Sequence, residues 1–96
     1  MIDKPHQINL MIGAARDYQD GLMSLQTLIW KIEGLLSVID DNALSRELSD
    51  ALFALEEINA YTYTADYDFE SEGKSIVDRA VKEIVARIET YSSHPE

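Results

Sequence analysis

Residues 24–39 read SLQTLIWKIEGLLSVI, and the spacing of their apolar side chains decides the fold. Leu25, Leu28, Ile29, Ile32, Leu35, Leu36 and Ile39 recur at i, i+3, i+4 and i+7, which lays them along one stripe of an α-helix. Ser24 stands just before the first of them, where a hydroxyl can accept from an N–H that the opening turn leaves unpaired. Asp40-Asp41-Asn42 breaks the pattern and offers a cap to the segment that follows. The spacing predicts a helix over 24–39.

On the C-terminal side, Leu44, Leu48, Ala51, Leu52, Leu55 and Ile58 repeat the pattern and predict a helix over 43–60. Ile76, Val77, Ala80, Val81, Ile84, Val85 and Ile88 form a wide apolar arc over 74–90. Their β-branched content suits a strand, but a period of two would bury Arg79 or Glu83 among the valines, so the helix is preferred. On the N-terminal side, Pro5 opens a helix over 5–19 where its missing N–H costs nothing. Ile8, Met11, Ile12, Ala15 and Tyr18 share its stripe, and Gly21 ends it. His94-Pro95-Glu96 is expected to fray. Four amphipathic helices with short connections predict an all-α fold, a small antiparallel four-helix bundle.

Composition agrees with one domain over 1–96. The chain has 96 residues, 46% of them apolar and 27% charged, a globular balance. No run approaches the roughly 20 apolar residues that a membrane span needs. Met1-Ile2-Asp3-Lys4-Pro5 lacks the basic flank and apolar core of a secretory signal, so a cytoplasmic location is expected. Cysteine is absent, which removes disulfides and thiolate chemistry together.

The formal net charge is −10, a sign that opposes direct binding of nucleic acid and favours a basic protein partner. The excess is local. Residues 40–72 hold Asp40, Asp41, Glu47, Asp50, Glu56, Glu57, Asp66, Asp68, Glu70 and Glu72 against Arg46 alone. Solubility alone would predict wider spacing, because such clustering repels itself.

The connection over 61–73, YTYTADYDFESEG, is long for a bundle, whose loops take about 2–8 residues. Its aromatics Tyr61, Tyr63, Tyr67 and Phe69 fall on odd positions, and Asp66, Asp68, Glu70 and Glu72 on even ones. An extended backbone over 66–72 would send the two sets to opposite sides. The aromatics would then pin a long acidic loop to the bundle while four carboxylates face outward as a row.

Other chemistries find little support. Read as a calcium loop starting at Asp66, the segment places Ser71 where glycine belongs and Val77 where a bidentate glutamate belongs. His6 and His94 sit near the two ends, outside or at the edge of the bundle stripes, and no Glu-x-x-His pair or glycine-rich phosphate loop occurs. No enzyme activity, metal or cofactor is expected.

Two aromatics stand off the stripes. Trp30 lies about 160° around its helix from the stripe's centre, beside Thr27, Gly34 and Ser37. Tryptophan is highly buried on average, which predicts a central helix covered on two sides; a second subunit against the Trp30 face is the alternative. Phe53 lies among Asp50, Glu56 and Glu57. It reads either as a binding anchor in a charged rim or as a filler beneath the 61–73 loop.

The stretch from Leu52-Phe53 to Glu57, followed by Ala65-x-Tyr67-Asp68-Phe69-Glu70-x-x-Gly73 and a final helix, resembles the colicin D immunity proteins. It is similar also to the immunity proteins of contact-dependent growth-inhibition systems, over roughly residues 48–88. The chain departs in extra N-terminal residues and a more tyrosine-rich loop. The resemblance implies a four-helix protein that covers the active site of a cationic toxin nuclease, the colicin D toxin being one that cuts transfer RNA. It implies that Glu57, Tyr67, Asp68, Phe69 and Glu70 meet the toxin, the acids facing its lysines, arginines and catalytic histidine.

The expected interface therefore comprises Phe53, Glu56, Glu57, Tyr63, Asp66, Tyr67, Asp68, Phe69, Glu70 and Glu72, a carboxylate surface mimicking RNA phosphates. Competing expectations are a helical module that self-associates through Trp30, and an acidic mimic that sequesters a DNA-binding protein.

Overall fold

A computed structural model describes residues 4–92, with side chains through Tyr91. It contains four α-helices: α1 (Lys4–Gln19), α2 (Leu25–Ile39), α3 (Asn42–Tyr61) and α4 (Lys74–Ser92). Their ends fall within two residues of those expected from the apolar spacing. Among the described residues there is no strand. The tail at His94–Glu96 lies outside the described residues.

Local chemistry sets the helix ends. Ser24 adopts an extended backbone, and its hydroxyl oxygen accepts from the Thr27 N–H at 3.2 Å. At the other end of α2, Asp40 enters the left-handed region (φ 53°, ψ 48°) and its N–H donates to the Leu36 carbonyl at 2.9 Å. Aspartate tolerates that conformation better than most side chains. The next residue, Asp41, already caps α3, its carboxylate accepting from the Leu44 N–H at 3.1 Å. Two residues thus turn α2 into α3, and this tight junction fixes the groove between the two helices.

The buried stripes meet in one core. Ile8, Met11, Ala14 and Ala15 come from α1; Leu25, Leu28, Ile29, Ile32 and Leu36 from α2. Leu44, Leu48, Ala51, Leu52, Leu55 and Ile58 come from α3, and Val77, Ala80, Val81, Ile84 and Ile88 from α4. The core holds no buried polar or charged side chain among the described residues, so apolar burial carries the packing. Ile76, expected in the α4 arc, lies exposed at its edge. Each of α1 and α3 packs against both α2 and α4.

One end of the molecule is tied by Asp41. Its carboxylate accepts from the Lys4 ammonium at 2.8 Å and from the Tyr91 hydroxyl, besides capping α3. The Lys4 ammonium also sits 5.1 Å from the centre of the Tyr91 ring. These bonds hold the Asp41 carboxyl well below the usual carboxylate range, the hydrogen bond from Lys4 contributing most. They connect α1, α3 and α4 at a single side chain.

Trp30 departs from expectation. It is 62% exposed, so α2 is covered on one side only. The four-helix core already closes over the α2 stripe, and no further element among the described residues covers the opposite face.

Candidate functional site

The connection between α3 and α4 is shorter and more ordered than the extended loop expected over 61–73. α3 continues through Tyr61, an irregular stretch covers 62–68, and Phe69–Gly73 winds into one π-helical turn that leads into α4. Asp68 begins this turn, its carboxylate accepting from the Ser71 N–H at 3.4 Å. Glu72 reaches back to accept from the Asp68 N–H at 3.0 Å, and its own N–H donates to the Asp68 carbonyl at 2.8 Å. This is a reciprocal cap with one residue more than the usual box. The period-two alternation is therefore not expressed as an extended row. Asp68 and Glu72 are exposed, as expected, but their carboxylates also bond the backbone of the turn.

Gly73 explains why the turn closes so tightly. It is buried, and a Cβ there would fall on the Tyr67 hydroxyl and within 2.9 Å of Ile58 Cγ2. Tyr67 and Phe69 pack against the core over this bare backbone, while the Tyr67 ring leans on Tyr61 at 5.5 Å between centroids. Burial pushes the Tyr67 hydroxyl up from its ordinary value, with the Glu72 charge adding to it. These two aromatics pin the segment as expected of them, but as part of the fold.

Tyr63 behaves differently. It is 71% exposed, and its hydroxyl donates to the Gln26 side-chain oxygen on α2. It extends the chemistry of the connection toward the α2 surface. Asp66 and Glu70 are exposed and make no hydrogen bond or ion pair among the described residues; the same holds for Asp50 and Glu57 on α3. Glu47, by contrast, is matched by Arg87 at 2.8 Å.

Phe53 does not fill space beneath the connection. It is 65% exposed and lines a hollow of about 550 Å³ between α2 and α3. The floor is Leu36 and Leu52, the walls Ser37, Ser45 and Ser49, and the rim Glu33, Asp40 and Glu56. Glu33 and Glu56 both line this hollow, close enough for their carboxyls to interact. Hydrogen bonding with Glu56, then partial burial and the Glu56 charge, push Glu33 up to about 7. Trp30 stands one helical turn before Glu33 on the same side of α2.

The ten expected interface residues thus divide into three groups. Tyr67, Asp68, Phe69 and Glu72 build the turn. Glu70 is exposed within it, and Glu57, Asp66 and Tyr63 are exposed on the residues that precede it. Phe53 and Glu56 belong to the α2–α3 hollow. Glu33 was not singled out from sequence, because its partner lies on another helix and nothing in the residues around it marks it. Among the described residues no three His, Asp or Glu side chains converge on a metal-sized site, and no helix is long and apolar enough to cross a membrane.

Comparison with protein-family models, with curated proteins and with solved structures finds no match in any of the three.

Proposed function

We propose that this chain is a non-catalytic inhibitor of the immunity type, which docks its acidic side onto a basic toxin nuclease, a transfer-RNA-cutting one by preference, in the cytoplasm. The observation that carries this reading is the exposed carboxylate set of α3 and the following connection. Asp50, Glu57, Asp66 and Glu70 project to solvent without a partner among the described residues. A nuclease cleft is a basic concavity shaped for phosphates, and carboxylates on a firm support offer it charge without a scissile bond. Long-range attraction also speeds capture of a lethal partner. In this reading the helices run antiparallel, consistent with Glu33 and Gln26 of α2 meeting Glu56 and Tyr63 in the reverse order.

Growth protection tests it. Cells expressing the toxic domain encoded next to this gene should survive when this protein is co-expressed. The triple variant Glu57→Lys, Asp66→Lys, Glu70→Lys should lose protection while helicity and melting temperature stay near wild type. Undiminished protection by the triple variant would reject the electrostatic mechanism.

Exposure of both Trp30 and Phe53 favours a second reading, a module that pairs with its own copy through α2. Sedimentation of the wild type and of Trp30→Ala distinguishes it: a dimer that the substitution dissolves supports pairing, and a monomer at high concentration rejects it.

A further inference from the structure

Phe53 lines a shallow channel between α2 and α3, and Trp30 stands on α2 one helical turn before Glu33 at the channel's rim. Two large aromatics stand exposed, at 62% and 65%, on neighbouring helices. Phe53 belongs to the hollow of about 550 Å³ with a leucine floor and serine walls. Its rim carries Glu33, Asp40 and Glu56, with no cation in ion-pair range of them among the described residues. Gly34 adds an independent observation. It sits inside α2, where glycine costs about 1 kcal/mol relative to alanine, yet a Cβ there would meet nothing within 4 Å. The protein's own packing gives no reason for the bare backbone beside Trp30; close approach by another molecule would.

We infer that the α2–α3 channel is a docking groove for a cationic amphipathic helix of a protein partner, whose lysine or arginine side chains meet Glu33 and Glu56 while its apolar side chains cover Trp30 and Phe53. Charge selects this occupant. A second copy related by a twofold axis would bring the same three carboxylates onto themselves. A polynucleotide would be repelled outright. A basic helix instead separates Glu33 from Glu56, supplies the missing countercharge, and lays guanidinium or ammonium groups against aromatic faces. Exposed tryptophan and phenylalanine inside a charged rim have the composition of a binding hot spot. The raised proton affinity of Glu33 fits, since an incoming cation would offset the Glu56 charge that helps to raise it.

This inference rests on the reading that the partner is basic, and moves the centre of contact from the α3–α4 connection to the α2 side. The probe is a synthetic peptide of 15 residues, the length of α2, with lysine, arginine and leucine at helical spacing. It is titrated into the full-length, ¹⁵N-labelled protein at low salt. Shifts should concentrate on the Trp30 indole N–H and the amides around Glu33, Phe53 and Glu56. The double variant Glu33→Lys, Glu56→Lys should weaken binding by about tenfold or more with an unchanged melting curve. Gly34→Ala should melt higher than wild type yet bind the peptide less well. Shifts confined to 62–72 would overturn the groove and leave the basic-partner reading standing. Absence of any binding would overturn both. Self-association that the peptide does not disturb would replace the basic helix by a second copy.

Discussion

Glu33 on α2 and Glu56 on α3 line one hollow, two carboxyls that the chain brings together on its own surface, so that Glu56 and partial burial push Glu33 up to about 7. The sign of their effect on stability follows directly. A carboxyl whose proton affinity is higher in the folded state binds more protons folded than unfolded between its ordinary pKa and about 7. Folding is therefore weakened as pH rises through that interval. Glu56→Gln should raise the melting temperature at pH 7.5 and leave it nearly unchanged at pH 4.5. Thermal melts at the two pH values check this; equal effects at both would mean that Glu56 does not raise the proton affinity of Glu33.

Asp41 has the opposite sign. Its carboxyl is held below the ordinary range by Lys4, Tyr91 and the Leu44 N–H, so its contribution is complete above about pH 4 and lost as pH falls toward the folded value. Asp41→Asn keeps a competent cap and isolates the charge; it should flatten the acid limb of a stability profile measured by circular dichroism. Asp41→Ala also removes the cap, which typically costs about 0.5–2 kcal/mol by itself.

Gly73 is predicted to be intolerant of any side chain. Gly73→Ala should cost about 1–3 kcal/mol, because the added methyl must displace Tyr67 and Ile58. Tyr67→Phe removes one of the two obstacles. Denaturant titration of both single variants and the double variant should give a coupling energy whose sign shows partial relief. Simple additivity would contradict the contact.

Leu28 and Trp30 are two residues apart on α2 and should behave as opposites. Leu28→Ala, at a fully buried position, should cost about 2–5 kcal/mol. Trp30→Ala should change stability by no more than about 0.5 kcal/mol, because its ring rests mainly in solvent. Urea midpoints of the two variants test the pair.

The contrast shows which physics is readable from a linear chain. The stripe of Leu25, Leu28, Ile29, Ile32 and Leu36 is local and periodic, so the helix and its buried side are legible together. The environment of Trp30 depends on whether a second layer covers α2, and no local pattern encodes that. At Asp68–Gly73 the alternation of acids and aromatics suggested extended backbone, but Asp68 and Glu72 cap one another around a buried glycine. The signal was an aspartate with a glutamate four residues on and a glycine behind it, a one-residue variant of a familiar cap. Glu33 and Glu56 meet only through tertiary packing, and the most distinctive feature of the surface was for that reason invisible in the sequence.

The central claim is that carboxylates on this face recruit a basic protein, and the salt dependence of binding measures it most directly. The cationic amphipathic peptide should bind tightly at about 20 mM salt and many-fold more weakly at about 500 mM, where screening shortens the reach of charge to a few ångströms. An isosteric peptide with glutamate in place of lysine and arginine should not bind at either salt. Equal affinity across the salt range, or comparable binding of the acidic peptide, would contradict the account.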